Sequence, residues 1–253
     1  MKDLISLSAI QKCLAKELPK GKDDEQTVRR LWWAALDTLQ EDILLPMNLQ
    51  NGLWLSAPLP ALYEPRLLEA LNGWVWAPNE LTNLSSNKFS FLLPSNHKKT
   101  ERENSIKTIN YKRLPLSIED GDNPLLIILT SKIKIALTLY GPPNQRSLII
   151  KNDKEKIKEI ISMLISRLRQ ENSSDAKQLL KEIRIQNKTN NNFNLEKEFW
   201  PLLSSRLATM APSLTLQTVP EPKSSEQPYK NTNSDISILE AITHEVRTPL
   251  ATI

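Results

Sequence analysis

The chain has 253 residues, enough for one or two domains with cores of their own; 40% hydrophobic and 25% charged residues describe an ordinary globular protein with a polar surface. Net charge is +4, from 33 Lys and Arg against 29 Asp and Glu, a mild excess that gives only weak support to acidic partners and implies no nucleic-acid partner. The single cysteine, Cys13, excludes an internal disulfide framework and fits a reducing compartment, and Cys13, His97 and His244 are too scattered for a structural metal site.

No apolar run approaches the roughly 18 residues needed to cross a bilayer. The longest, Leu125 to Leu129, stops well short. The opening MKDLISLSAIQKCLAKELPK interrupts its apolar face with Asp3 and Glu17, so it does not read as a secretory signal. A cytoplasmic location without a membrane span is the expectation.

Taken in order, Leu4, Leu7, Ile10, Leu14 and Leu18 recur at helical spacing, and Pro19 with Gly21 ends that helix. Asp23 and Gln26 make a capping pair for a second helix that carries Val28, Leu31, Trp32, Ala35, Leu39 and Ile43. The two are expected to pack together as an amino-terminal pair over residues 1–45. Trp32 reads as core and Trp33 as a half-buried anchor.

A second region, 46–210, opens with Pro58, Pro60, Pro65 and Pro78 punctuating short apolar pieces. Trp74 and Trp76 alternate about Val75, as strand residues sharing one face do, and core is the favoured reading over a sensor pocket. Residues 85–103 read as a polar loop whose basic cluster, His97, Lys98 and Lys99, is solvated surface. Strand patterns follow over Tyr111–Ile118, Leu125–Thr130, Ile133–Tyr140 and Ser147–Ile150, with the middle two as a hairpin. The acidic Glu119, Asp120 and Asp122 of the first connector are read as turn chemistry, not as metal or acid–base carboxylates.

Asp153 then opens a helix with Ile157, Ile160, Ile161, Leu164 and Leu168 on one side. Two further helical patterns, 173–186 and 195–210, flank the asparagine-rich NKTNNNFN, and Trp200-Pro201 stands near the start of the second, where proline is tolerated. Pro212 to Asn233 carries Pro220, Pro222 and Pro228 among Ser, Thr, Lys and Glu and reads as an exposed, disordered linker over 211–233.

The order of an apolar-Pro-Leu strand, an acidic turn, two strands and an Asp-started helix is similar to the latter half of a GAF-type sensor domain. That resemblance implies an α+β fold, an antiparallel sheet with flanking helices. Cys13 lies far outside the strand region, so no covalent chromophore is implied.

The last segment, 234–253, places Leu239, Ile242, Val246, Leu250 and Ile253 on one helical stripe. At about 100° per residue His244 falls roughly 200° from Ile242, on the side away from that stripe. Pro249 removes a backbone donor one turn later. The run HEVRTPL, His244 to Leu250, resembles the phosphoacceptor box of two-component sensor histidine kinases at every fixed position.

The resemblance implies that His244 is the covalent phosphoryl acceptor and that Glu245 holds or accepts the imidazole proton. It also implies that Arg247 meets phosphate oxygens or pairs with Glu245, that Thr248 orients water for dephosphorylation of the receiver, and that Pro249 loosens the helix. The implied partners are a response-regulator receiver domain, a second copy of the chain through the phosphoacceptor helix, and an ATP-binding kinase domain. Neither the asparagine- and glycine-rich boxes of that domain nor the second helix of the dimerisation hairpin occurs here. No cofactor is therefore expected in this chain, with ATP and Mg belonging to the complete kinase, and the chain is expected to be a truncated front part, inactive alone. Two alternatives stay open: a non-catalytic regulatory module that binds a ligand or partner, and a phosphotransfer protein phosphorylated in trans.

Overall fold

A computed structural model describes residues 5–16, 18, 21, 24–78, 111–186 and 193–210. Six strands form one sheet: β1 Leu53–Ala57, β2 Asn72–Ala77, β3 Tyr111–Pro115, β4 Leu125–Leu129, β5 Lys134–Tyr140 and β6 Ser147–Lys151, in the spatial order β3-β2-β1-β4-β5-β6. From β1 through β4 and β5 to β6 the neighbours are antiparallel, with Leu55 opposite Ile127 and Ile127 opposite Ala136. On the other side β1, β2 and β3 run parallel, Leu55 beside Trp74 and Trp74 beside Lys112.

The sheet is therefore mixed, and the expected antiparallel sheet is corrected. The cause lies between β1 and β2, where a short helix, α3 (Pro65–Ala70), carries the chain back so that β2 starts at the same end as β1. A tight turn would have reversed it; parallel neighbours need a crossover of this kind. The expected hairpin does form: Thr130 N donates to Ile133 O at 2.9 Å and Ile133 N to Thr130 Oγ1 at 3.0 Å, closing the turn between β4 and β5.

Helices cover both sides of the sheet. On one side lie α1 (Leu7–Ala15), α4 (Lys154–Glu171) and α5 (Ser173–Gln186), packed on Leu53, Leu55, Trp74, Trp76, Leu125 and Ile127. On the other lie α2 (Glu25–Asp37), its π-helical continuation Thr38–Leu44, α3 and α6 (Trp200–Thr209), packed on Trp54, Val75, Leu126, Ile128, Ile135 and Leu137. Alternate residues of each central strand enter opposite layers, as a two-residue period requires. Strands buried on both faces read as unbroken apolar runs, which is what LLIIL in β4 is.

Two sequence expectations change here. The amino-terminal helices do not pair: Leu7, Ile10 and Leu14 of α1 join one layer, and Val28, Trp32 and Leu36 of α2 join the other. Asp24, not Asp23, caps α2, its Oδ1 accepting from Gln26 N and Thr27 N at 2.9 Å. Asp153 caps α4 as expected, accepting from Lys156 N at 2.7 Å. Asn194, the last residue of the asparagine-rich run, caps the π-helical turn Leu195–Phe199 that leads into α6. Trp74 and Trp76 share one face and are each 1% exposed, so they are core.

Candidate functional site

His244, Glu245, Arg247, Thr248 and Pro249 lie outside the described residues, as does the cluster His97, Lys98 and Lys99. The site chemistry that the structure brings together is elsewhere, in three arginine-centred clusters.

The deepest joins α4 to the acidic connector. Arg167 and Asp120 are both 0% exposed at the side chain and form a two-pronged ion pair, with Arg167 Nη2 at 2.8 Å from Asp120 Oδ2 and Nη1 on Oδ1. Asp120 also accepts from Leu7 N and Ser117 N, each at 2.8 Å, so the same carboxylate holds the start of α1 and closes its own turn. Arg167 reaches Glu171 Oε1 at 3.0 Å and lies 5.9 Å from the centre of the Trp76 ring. Burial pushes the Asp120 carboxyl up, but the Arg167 hydrogen bond and the two backbone donors outweigh it and hold the group below the usual carboxylate range. Glu171, by contrast, is pushed up by burial, against the pull of Arg167.

A carboxylate so fully engaged has no lone pair to offer a substrate. The cluster is a joint between α1, the connector and α4, not a catalytic dyad. The turn reading of Asp120 is thus incomplete: the residue does close a turn, and it carries a buried charge pair as well. Arg167 was missed in the sequence, although a signal existed. Ile160, Leu164, Arg167 and Glu171 follow at intervals of 4, 3 and 4, so a charged residue stands inside an apolar helical stripe.

Arg146 makes the second joint. Its Nη1 meets Glu25 Oε2 at 2.6 Å, its Nε donates to Asn123 Oδ1 at 2.8 Å and its Nη2 lies 3.3 Å from Asp122, tying the first turn of α2 to the same connector. Nearby Gly21 has no room for a side chain, since a Cβ would fall 2.0 Å from Arg146 O.

The third cluster anchors α6. Arg206 faces Glu41 at 3.0 Å, Asp42 at 2.8 Å and Asp37 at 3.8 Å, and the Tyr63 hydroxyl donates to the other oxygen of Asp37. Gln40, buried in the π-helical turn, positions Tyr63 by accepting from its N–H at 2.9 Å and from Glu64 N at 3.2 Å. Burial first, and the Asp37 hydrogen bond second, push the Tyr63 phenol above its ordinary value. It stays protonated near neutral pH and is no nucleophile.

Cys13 is half-buried, 3.9 Å from Lys156 Nζ, and burial followed by the Glu159 hydrogen bond pushes its thiol up, which disfavours the reactive thiolate. No group of three or more His, Cys, Asp or Glu side chains among the described residues is placed to hold a metal ion. Nor is any described helix long and apolar enough to cross a membrane. Open grooves of ligand-like size among the described residues include two that border the sheet. One, about 590 Å³, lies between the end of β6 and Phe193–Trp200; the other, about 360 Å³, between α1 and the β5–β6 turn at Tyr140 and Ser147.

The profile of a family described as a domain of unknown function, DUF8628, matches residues 8–212, from α1 through α6. The chain belongs to this family. Apart from Leu7 at the head of α1, both helical layers, the whole sheet and the side chains of all three arginine joints fall inside the DUF8628 match, and His244–Leu250 fall after it. No curated protein and no solved structure matches the chain.

Proposed function

We propose that this chain is the signal-input and phosphoacceptor part of a cytoplasmic two-component sensor histidine kinase. The observation that carries the reading is the complete run HEVRTPL at His244–Leu250, following a Pro- and Ser-containing stretch that separates it from the DUF8628 body. In this reading an imidazole nitrogen of His244 attacks the γ-phosphorus of ATP brought by a separate kinase domain. An N–P bond forms, the bond to the ADP oxygen breaks, and Glu245 manages the proton on the other ring nitrogen. The phosphoryl group then passes to an aspartate of a receiver domain, with Thr248 ordering the water that later removes it. Arg247 neutralises phosphate charge and Pro249 frees the helix to approach either partner. Pairing of two copies through the stripe Leu239, Ile242, Val246 and Leu250 completes the arrangement.

The sensor role of the body rests on the GAF-like order of an apolar-Pro-Leu strand, an acidic turn, two strands and an Asp-started helix. The mixed sheet departs from an antiparallel one at β2 and β3, and β3 is the apolar-Pro-Leu strand that opens that order. No step is routed through a cofactor held by the described residues.

A second reading, a regulatory module that acts by binding a partner, has its own support. The body has two hydrophobic cores and three arginine joints built from residues of the described region. Incubation with a purified histidine-kinase catalytic domain and labelled ATP separates the two. Acid-labile label on the wild-type chain and none on His244→Gln supports the first reading; label that persists in His244→Gln, or no label on either, removes it.

A further inference from the structure

Helix α5 is electrically two-sided. Asp175 and Glu182 turn inward to the sheet edge, where Asp175 Oδ1 takes Lys112 Nζ at 2.6 Å and Glu182 Oε2 accepts from Trp74 Nε1 at 3.0 Å. Gln178 bridges them, donating to Glu182 Oε1 at 3.0 Å and accepting from Lys112 Nζ at 3.2 Å. The acidic groups of the helix are thus consumed by the fold. Its cations are not. Lys177, Lys181 and Arg184, at i, i+4 and i+7, stand exposed on the outer side, and among the described residues none meets a carboxylate. Between and beside them are half-buried Leu180 and Ile185, the latter 57% exposed, and the five residues border an open groove of about 480 Å³.

A solvated helix face needs no exposed isoleucine, and a helix that stabilises itself pairs its cations with its own acids at i−4. Here the i−4 positions of the three cations hold Ser173, Lys177 and Leu180 and no acid, leaving a triply positive row about 10 Å long around an aliphatic spot. We infer that the outer face of α5 is a docking surface for an acidic amphipathic protein segment. Its carboxylates, repeated at helical spacing, would meet Lys177, Lys181 and Arg184, while an apolar side chain covers Leu180 and Ile185.

The chemistry favours this occupant over two others. Three basic residues and one exposed aliphatic, with no aromatic on the face, fall short of the two signals that stable membrane attachment requires. The same lack of an aromatic removes the stacking platform that single-stranded nucleic acid uses. The surface does not depend on the phosphoacceptor reading.

The test uses the full chain and a fluorescein-labelled, alanine-based helical peptide with glutamates at i, i+4 and i+7 and one leucine between them. The same peptide with glutamines, vesicles of phosphatidylserine with phosphatidylcholine, and a single-stranded oligonucleotide serve as comparisons. Saturable anisotropy that weakens with added salt, falls about tenfold in Ile185→Ser and is lost in Lys181→Glu with Arg184→Glu is the expected result. All altered side chains are exposed, so thermal melting should stay unchanged and confirm folding. No saturable binding, equal binding of the glutamine peptide, or binding indifferent to the charge reversal overturns the inference. So does tighter binding to the vesicles or oligonucleotide that Ile185→Ser leaves untouched.

Discussion

Replacing Asp120 by Asn leaves the Arg167 guanidinium in the core with half of its charge partners. Both side chains are 0% exposed, and breaking such a pair from one side costs about 3–5 kcal/mol because the remaining charge stays desolvated. Glu171, 3.0 Å from Arg167, keeps part of the compensation, so Asp120→Asn should fall near the lower end. Arg167→Met strands the Asp120 carboxylate with only the N–H groups of Leu7 and Ser117 and should fall near the upper end. At roughly 2–4 °C per kcal/mol for a body of this size, the melting temperature should drop by about 6–20 °C.

The double variant removes both charges and should cost less than the sum, with a coupling of at least about 2 kcal/mol. Acid adds a sign test. Asp120 is held below its ordinary range, so its contribution is present above the unfolded aspartate value and is lost as pH falls through the lower, folded one. Circular dichroism melting across that acid limb should show the wild type converging on Asp120→Asn. Single variants that each shift melting by less than about 2 °C, or that add without coupling, would refute the assignment of this pair as the joint between α1, the connector and α4.

Two other predictions concern the opposite layer and the sheet. Tyr63→Phe removes the hydroxyl that Asp37 accepts and should cost about 1 kcal/mol in urea unfolding. Because burial and Asp37 raise the phenol, the stability it provides is present below the unfolded tyrosine value and lost as pH rises through the folded one. The tyrosinate absorbance of wild type and Tyr63→Phe should therefore coincide until the protein unfolds in alkali. Gly73→Ala places a Cβ 2.5 Å from Trp54 Cζ2 and 2.5 Å from Tyr111 Cβ, and should lower stability by about 1–3 kcal/mol by overpacking the β1–β2–β3 side of the sheet; an unchanged denaturation midpoint would contradict that register.

Local patterns were legible in the sequence and non-local choices were not. The β4–β5 hairpin, the Asp153 cap, the bounds of α5 and the shared face of Trp74 and Trp76 all follow from signals within a few residues. The parallel pairing of β1 with β2 depends on α3, whose six residues PRLLEA are too short to show a helical period and whose Pro65 looks like another punctuation mark. The placement of α1 and α2 on opposite layers depends on which strand face each apolar stripe meets, and both stripes suit either face. Arg167 and Asp120 are 47 residues apart, and only the charged interruption of the α4 stripe hints that a partner is needed. The π-helical turn after α2 is equally hidden, because Gln40 is drawn inward by the backbone of residues 61–64, a segment its own neighbours do not predict.

For the segment proposed as phosphoacceptor the position is reversed. In the proposed reading HEVRTPL carries the acceptor histidine, the acid, the hydroxyl and the helix-loosening proline in consecutive residues, so the resemblance is legible without any long-range contact. The joints of the DUF8628 body carry no such motif. The most direct measurement of the central claim is mass spectrometry, under neutral, non-acidic handling, of the chain after exposure to a histidine-kinase catalytic domain and ATP. The account predicts a phosphoryl group located on the imidazole of residue 244 and its transfer to a receiver-domain aspartate. Phosphorylation confined to serine, threonine or another residue, with His244 unmodified, would contradict it.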